Sequence, residues 1–360
     1  MIKLAQVLLS ILTSTILFAP QQFSLAQTEQ NRPNSIYPLV QNEADEELMD
    51  LVREVEMVGI TVRDMERAIA FYTDALSFRK ISDVEVHGEE YEKLLGLLGV
   101  RLRLVQMQLG SEKIELIQHL TSQGQPISLN SSRKDLWFQH IAIAVTDMSQ
   151  ADQKLREHGI TKVSSASPKL PEYIEAAGSE TFYFRDPDGN TLELIHYPSD
   201  QGNSRWQNST QQIFMGIDHT AIAISNTEAS RQFYQNILGL EVAGESEYDL
   251  EQENLSNVQD PQLKTTGLKA EHGIGIEFIE YLQPQNVQPI PIDTSPQDMT
   301  HWETTLVVED TNMVAEKLLI DGHQFVSEAL VNITEPKLGF SRGFMVRDPD
   351  GHVLKIVEKQ

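Results

Sequence analysis

The stretch MVGITVRDMERAIAFYTDALSF, residues 57–78, returns in altered form as HTAIAISNTEASRQFYQNILGL at residues 219–240. Its central aromatic pair, Phe71 and Tyr72, recurs 162 residues later as a second Phe-Tyr pair. The same offset relates Glu115 in KIELIQ to an equivalent glutamate in GIEFIE. Self-similarity at one fixed offset predicts a duplicated unit of about 145 residues.

Each unit divides again into two similar parts. FQHIAIAVTD at residues 138–147 repeats the pattern of VEMVGITVRD at residues 55–64: an alternating strand, an acidic residue suited to helix capping, and then an amphipathic helix. Two or three further strand patterns follow each helix. The sequence therefore predicts an α+β fold of four βαβββ modules, which begin near residues 55, 138, 217 and 301.

Composition supports a globular chain and narrows its partners. With 360 residues and 40% apolar content, the chain is long enough for two domains with a core each. A formal net charge of −25 argues against binding nucleic acid, because the long-range field repels polyanions. The absence of cysteine excludes disulfides, thiolate metal sites and cysteine nucleophiles.

The N-terminus has the features of a secretory signal. Lys3 precedes an apolar run at residues 7–19 and the small-residue site Ser-Leu-Ala at 24–26. We interpret residues 1–26 as a cleaved signal peptide, which predicts export to the periplasm or the extracellular space and no membrane span after processing. A retained anchor is the alternative, although the run is short for a bilayer. Residues 27–53 are predicted to be a flexible acidic lead-in, and residues 199–213 a polar linker.

Polar residues recur at matching places on the predicted strands. Because side chains alternate along a strand, His140 shares a face with Ala142 and Ala144, and these small neighbours leave space in front of it. Glu193 points away from the leucines beside it, and Glu115 and Glu277 obey the same parity. A buried carboxylate is costly unless it is paired or binds a cation, so these residues are candidate ligands. A satisfied core histidine and solvated edge glutamates are the alternatives.

The repeated motif Asp-Pro-Asp-Gly, at 186–189 and 348–351, is a turn by its chemistry, since Pro fixes φ and Gly accepts a positive φ. The strands that follow it differ at one informative place. Glu193 in the first copy corresponds to Lys355 in the second.

With its FYTDAL-type helices, HIAIAV-type first strands and DPDG-x3-E endings, the chain resembles the vicinal oxygen chelate superfamily, which includes glyoxalases, bleomycin resistance proteins and extradiol dioxygenases. The resemblance implies two domains, each a curved mixed-sheet cup with helices outside. Domain one would span residues 54–198 (modules 54–120 and 136–198) and domain two residues 214–359 (modules 214–284 and 298–359).

In that superfamily a divalent metal lies inside the cup, held by the first and last strands of both modules. Carried over by position, the resemblance offers Met57, Glu115, His140 and Glu193 in the first cup. Met57 departs from the pattern because a thioether is a soft ligand. The expected set is therefore Glu115, His140 and Glu193 on one divalent ion, with Zn, Ni, Mn and Fe(II) all compatible.

The second cup offers His219, Glu277 and Glu303, with His301 as a substitute ligand and Lys355 at the fourth place. An ammonium group at Lys355 would repel a dication and neutralise a glutamate by itself. We therefore expect the second cup to be free of metal and structural, with His219, Glu277 and Glu303 as a possible second site.

The resemblance makes an exported, metal-dependent enzyme the leading hypothesis, with isomerase or lyase chemistry of the glyoxalase kind on a small substrate with adjacent oxygens. Glu115 or Glu193 would act as the base, and His119 as a further acid or base. Extradiol ring cleavage and metal-free sequestration of a small molecule are the alternatives. The metal, the substrate and the choice between monomer and homodimer stay open. Candidate residues for contact with an anionic substrate are Arg101, Arg103, Tyr173 and Tyr183.

Overall fold

The computed structural model describes residues 51–163, 178–199, 202–207, 211–249, 261–284 and 287–360. The predicted signal peptide, Tyr173 and most of the predicted lead-in lie outside the described residues. The first strand begins at Val52, so it takes up the end of that lead-in. Within these ranges, no helix is long and apolar enough to cross a membrane.

The four predicted modules are present. Module one contains β1 (Val52–Thr61), α1 (Met65–Ala70, continued by a π-helical turn at Phe71–Ala75), β2 (Arg79–His87), α2 (Glu89–Leu95), β3 (Arg101–Leu109) and β4 (Glu112–His119). Module two contains β5 (Gln139–Val145), α3 (Met148–Glu157), β6 (Glu180–Arg185) and β7 (Thr191–His196).

Module three contains β8 (Phe214–Ile224), α4 (Thr227–Arg231, continued by a π-helical turn at Gln232–Ile237), β9 (Glu241–Asp249), β10 (Gln262–Lys269), β11 (His272–Gly273) and β12 (Gly275–Gln283). Module four contains β13 (Trp302–Val308), α5 (Thr311–Ile320), β14 (Val331–Asn332), β15 (Phe340–Arg347) and β16 (Val353–Lys359). Two 3-10 helices lie at Ser204–Gln207, inside the predicted linker, and at Pro336–Leu338.

The first helix of each module begins at a capping side chain, as the sequence pattern predicts. Each cap accepts a hydrogen bond from a backbone N–H in the first helical turn, which satisfies a donor that has no partner within the helix. The caps are Asp64, Asp147, Asn226 and Asp310.

The strands form two mixed, curved sheets. Sheet 1 has the order β14-β15-β16-β13-β1-β4-β3-β2, with β11 added beside β1, and sheet 2 has the order β6-β7-β5-β8-β12-β10-β9. At the centre of sheet 1, β1 pairs antiparallel with β13, and at the centre of sheet 2, β5 pairs antiparallel with β8. Each sheet therefore takes one module from each half of the chain.

This pairing corrects one expectation. The resemblance to the superfamily implies that modules one and two form one cup, and modules three and four the other. In the structure, modules one and four share sheet 1, while modules two and three share sheet 2. The expected pairing is wrong because each sheet joins one module from each half of the chain, so the two modules of one half lie in different sheets.

The two modules of each half meet instead through their helices and turns. The hydroxyl of Tyr72, on the first helix, donates to Asp186 in the first Asp-Pro-Asp-Gly turn at 3.3 Å. Tyr234 donates to Asp348, in the second turn, at 3.1 Å. Both aspartates also accept backbone N–H groups of their own turns, so each repeated turn anchors the helix of the preceding module.

One apolar core lies under the helices and the convex faces of both sheets. It includes Tyr72 and Tyr234 together with strand residues from all four modules. Ile141, Ile143 and Val145 of β5 belong to this core, as the alternation in the sequence predicts. The opposite face of each sheet is the inside of a cup.

Candidate metal centre

The cup of sheet 2 collects four metal-ligating side chains on four neighbouring strands. These are His140 on β5, Glu193 on β7, His219 on β8 and Glu277 on β12. Ala142 and Ala221 lie between them, and each is flanked in the backbone register by one of the histidines and one of the glutamates. Because alanine is small, the four longer side chains can converge on a common point.

The ligand atoms approach one another closely. One atom from each of His140, Glu193 and His219 lies within 4.8 Å of the others. The Nε2 atom of His140 is 2.9 Å from Oε2 of Glu193, and Nε2 of His219 is 3.8 Å from the same oxygen. Glu277 completes the group, with Oε2 at 3.6 Å from Nε2 of His219.

The buried imidazole nitrogens at this point have no hydrogen-bond partner. Three nitrogens have no partner in hydrogen-bond geometry among the described residues: Nδ1 and Nε2 of His140, and Nε2 of His219. Unpartnered buried polar atoms are costly and call for an explanation. A cation held between the two imidazoles and the two carboxylates would supply that missing partner, so the donor set fits a divalent metal.

Outer contacts fix how the ligands point. Nδ1 of His219 lies 2.9 Å from Asp218, which also accepts from Tyr197 at 2.9 Å and from the indole N–H of Trp206. A carboxylate on the far nitrogen holds an imidazole with Nε2 directed at a metal. Glu193 is held similarly, since it accepts a hydrogen bond from the Thr181 hydroxyl.

The four side chains differ in the direction of their pKa shifts. Burial lowers the pKa of His140, whereas burial alone would raise the pKa of Glu193 but contacts with His140 hold it below its usual value. Burial would also lower the pKa of His219, but Asp218, Glu277 and Glu193 raise it to about 9. Burial raises the pKa of Glu277 to about 7. The cluster therefore favours an added positive charge.

A cavity of about 780 Å³ opens in front of this group. Glu193, His219 and Glu277 line it, together with aromatic residues and Arg133. A volume of this order accommodates a small molecule. The side chain of Glu277 is the more exposed of the two carboxylates, at 30% against 7% for Glu193.

The cup of sheet 1 places different residues in the same register. Gly59 is flanked by Glu303 and Glu115, and Thr305 is flanked by Met57 and Lys355. The Nζ atom of Lys355 lies 2.8 Å from Glu115 and 2.6 Å from Glu303, and all three side chains are buried. The lysine thus takes the place of a cation between two carboxylates.

The rest of this cup is filled by the chain itself. Side chains from α2 and from the 3-10 helix Pro336–Leu338 pack with strand residues in an apolar cluster that includes Met57. The cavity that remains is about 30 Å³, against about 780 Å³ in the cup of sheet 2. Sheet 1 therefore carries a closed, charge-neutralised copy of the site.

The structure divides the predicted ligand set. His140 and Glu193 come together, but Glu115 lies in sheet 1, bound to Lys355, so the predicted group of Glu115, His140 and Glu193 is corrected. The possible second site is divided too, because His219 and Glu277 join His140 and Glu193 while Glu303 binds Lys355. In both cases the cause is the pairing of modules across the two halves.

The weaker assignments fall in different places. His119 is buried in the filled cup, where burial and the neighbouring His301 lower its pKa to about 4, so it is not near His140. Arg101 and Arg103 form ion pairs with acidic residues of sheet 1. Tyr183 does lie at the open cavity and makes an edge contact with the ring of His140 at 5.2 Å.

Comparison with known proteins agrees with this architecture. A family model described as glyoxalase/bleomycin resistance protein/dioxygenase superfamily matches residues 54–194 and again residues 216–356. The chain belongs to this superfamily. Each match covers one half of the chain, which contains two modules. Each cup, in contrast, takes one module from each half.

Several superfamily members resemble the chain in sequence. Glyoxalase I of Saccharomyces cerevisiae is 25% identical over 201 residues, which are 53% of this chain and 58% of the yeast protein. Lactoylglutathione lyase of Salmonella typhimurium is 26% identical over 136 residues, which are 38% of this chain and 87% of that protein. The match to the yeast relative thus spans little more than half of its length.

Solved structures show the shared fold. Glyoxalase I from Zea mays aligns with a TM-score of 0.53 at 15% identity, over 85% of this chain and 92% of that one. A dioxygenase assigned as putative, from Bacillus subtilis, aligns with a TM-score of 0.52 at 13% identity, over 86% of each chain. The superfamily fold with two sheets is therefore established for this chain.

Asp218 was missed by reasoning from sequence. It precedes His219 directly, and neighbours in a strand normally point to opposite faces. In the register, however, β5 and β8 are shifted between Ala142 and Ile143, opposite His219 and Ile217, so Asp218 has no partner on β5. This irregularity in the strand allows the carboxylate of Asp218 to contact Nδ1 of His219. No local pattern in the sequence predicts the irregularity.

Proposed function

We propose that the protein is a divalent-metal-dependent enzyme with glyoxalase-like lyase or isomerase chemistry, and that its working site is the cup of sheet 2. One observation carries the proposal: ring nitrogens of His140 and His219 that have no partner in hydrogen-bond geometry among the described residues converge with two carboxylates at a cavity large enough for a small molecule. The relatives named glyoxalase I and lactoylglutathione lyase support the same class of reaction.

His140, Glu193, His219 and Glu277 would hold the ion. Two imidazoles and two carboxylates suit Zn, Ni, Mn or Fe(II) rather than a soft metal. When bound, such an ion supplies Lewis-acid polarisation of two adjacent substrate oxygens. The two carboxylates would balance its charge.

The proton transfer falls to Glu277 rather than Glu193. Glu193 is held by Thr181 and by the contact with His140, so it is suited to remain a ligand. Glu277 makes no hydrogen bond to a described residue and is the more exposed of the two. Its carboxylate would accept the proton from a carbon that carries one oxygen and return it to the adjacent carbon. Burial raises the pKa of Glu277, which strengthens it as a base, whereas a cation bound beside it would lower that pKa.

The export of the protein is part of the proposal. The basic residue, apolar run and small-residue site of the N-terminus support a cleaved signal. In the periplasm or outside the cell, the enzyme would act on substrates away from the cytosolic glutathione pool, so a glutathione adduct is only one candidate substrate. N-terminal sequencing of the mature protein, purified from each cell fraction, tests the cleavage site and the location together.

Metal analysis of three matched proteins tests the site. We expect about one divalent ion per chain in the wild type, loss of that ion in Glu193→Gln, and retention in Glu115→Gln, because Glu115 belongs to the other cup. Retention in Glu193→Gln with loss in Glu115→Gln would contradict the assignment of the cup. If no metal binds under any loading condition, a metal-free binding protein becomes the better description.

Activity can be tested with methylglyoxal plus glutathione as the first probe, followed through the thioester product, since this reverses the cleavage in the relative's name. Glu277→Gln should lower the rate by about a hundredfold or more while the metal content is measured in the same sample. A full rate in Glu277→Gln would refute its assignment as the base.

A second candidate reaction is ring cleavage by a dioxygenase. Met57, which departs from the ligand pattern of the superfamily, lies in sheet 1, and the open cup has two histidines. Two histidines with one carboxylate are the ligand set of non-haem Fe(II) oxygenases, and His140, His219 and Glu193 meet that description. Oxygen uptake by the Fe(II)-loaded protein with catechol would favour this reaction; Glu277 as a fourth ligand favours the lyase.

A further inference from the structure

Arg133 is a buried cation at the wall of the open cavity. Only 8% of its surface is exposed, and it lines the cavity in front of the candidate metal centre. Among the residues that the structure describes, its two terminal nitrogens, Nη1 and Nη2, have no hydrogen-bond partner, and no carboxylate forms an ion pair with it. A buried, unpaired guanidinium is costly, so an arginine in this state indicates a missing anion.

The guanidinium is held in place from below by an aromatic ring. Its central carbon lies 3.9 Å from the ring centroid of Tyr183, and that ring in turn makes the 5.2 Å edge contact with His140. Stacking fixes the plane of the guanidinium and leaves its edge donors for a planar or tetrahedral oxyanion. The guanidinium of Arg133 is therefore linked through the ring of Tyr183 to His140, one of the candidate metal ligands.

The second half of the chain offers an internal comparison. In both halves the strand is preceded by the same turn: Asp135 accepts from the backbone N–H three residues before it at 2.7 Å, and Asp298 does so at 2.8 Å. Arg133 is the second residue of the first turn, and Pro296 is the second residue of the other. Pro296 borders the filled cup. The arginine thus accompanies the open cavity, and the neutral proline accompanies the closed one.

We propose that Arg133 recognises an anionic group of the substrate, so that the substrate class is a small oxyanion, a carboxylate or a phosphate ester, with adjacent oxygens elsewhere in the molecule. This inference rests on the proposed function for the position of the reacting oxygens. The anion site itself is independent of the metal and of catalysis. Arg133 binds the charge through two N–H groups, and the stacked Tyr183 keeps them directed at it.

The test measures anion binding to the protein after its metal has been removed, so its outcome does not depend on the enzyme being active. The probes are acetate, inorganic phosphate and the neutral acetamide, titrated by calorimetry against the wild type and Arg133→Met. We expect acetate or phosphate to bind the wild type about tenfold to a hundredfold more tightly than the variant. Acetamide should bind neither, and the preferred anion identifies a carboxylate or a phosphate substrate.

Arg185→Met is the matched control. Arg185 borders the small neighbouring cavity together with Arg133, but it is exposed and donates to the carbonyl of Gly189 at 2.9 Å. This variant loses the same charge and should keep the anion affinity of the wild type. Equal affinities in the wild type and Arg133→Met, equal losses in both variants, or no anion binding to the wild type would each overturn the proposal.

Thermal stability separates recognition from a structural role. Without anion, Arg133→Met should melt at the same temperature as the wild type or higher, because the variant no longer buries an unpaired charge. The preferred anion should raise the melting temperature of the wild type and leave that of the variant unchanged. A large loss of stability in the variant, with no anion effect in the wild type, would assign Arg133 to the framework instead.

Discussion

Removing the ammonium group of Lys355 should destabilise the protein strongly at neutral pH. This side chain lies between Glu115 and Glu303 in the filled cup, at 2.8 and 2.6 Å. Burial alone would raise the pKa of Glu303, but Lys355 and His301 lower it from 4.5 to about 2. At about 1.4 kcal/mol per unit, this carboxylate alone accounts for about 3 kcal/mol. In Lys355→Met two buried carboxylates lose their counter-charge, so we expect a loss of about 3 to 5 kcal/mol.

The pH dependence of this loss has a definite sign. The folded pKa of Glu303 is depressed, so its stabilisation is present above 4.5 and is lost as the pH falls towards 2. In Lys355→Met the ammonium no longer opposes the effect of burial, which raises the pKa of Glu303. We therefore expect the variant to be weakest at neutral pH and to recover as the pH falls. The difference between the two proteins should therefore narrow steadily from pH 7 through 4.5.

Urea unfolding at several pH values measures this difference. Lys359→Met is the matched control, since Lys359 also pairs with two glutamates but is 45% exposed, and the buried partner, Glu56, keeps an ion pair with Lys113. We expect this variant to lose about 1 kcal/mol or less. Adding Glu115→Gln and Glu303→Gln to Lys355→Met should restore most of the stability, because no buried charge remains. A loss no greater than that of the control, or one that does not change with pH, would refute the reasoning.

Three further results are expected. Asp218→Asn should lower metal affinity about tenfold to a hundredfold in a competition titration with little change in melting temperature, because it disturbs the orientation of His219. Metal affinity should rise by up to about tenfold per pH unit between pH 7 and 9, since His219, with a pKa of about 9, must lose its proton to bind; a flat profile would contradict this. Gly59→Ala should cost about 1 to 3 kcal/mol of unfolding free energy, because its Cβ would meet Glu303 at 2.5 Å, while Gly267→Ala, whose nearest atom is at 3.8 Å, should cost less.

Local patterns in the sequence were sufficient to predict the modules and the faces of their strands. The aspartate caps, the alternation around His140 and the parity of Glu193 are all confirmed, since each depends on a few neighbouring residues. The sequence could not decide which modules share a sheet. The pairing depends on contacts between residues far apart in the sequence, such as Val58 with Thr304 in sheet 1 and His140 with Ala221 in sheet 2.

One chemical signal could have indicated the correct pairing. Joining modules two and three brings two histidines and two glutamates together, whereas modules one and four then hold Met57, two glutamates and Lys355. The first group is a complete ligand set, and the second is a neutralised set with no metal role. The predicted sharing of one cup by modules one and two divides the two groups of side chains differently. It places Glu115 beside His140 and Glu193.

The pairing of sheets across the two halves has a consequence for how the chain could have changed. Each half contributes a complementary part to both cups, so a cut between residues 199 and 213 would yield two fragments that need each other, much as the subunits of a dimer do. Such a chain is in effect a dimer with its subunits joined end to end. Identical subunits must carry identical sites, because every substitution appears twice. Joined subunits are free of that constraint, so Lys355 can close one cavity while Glu193 keeps its place in the other.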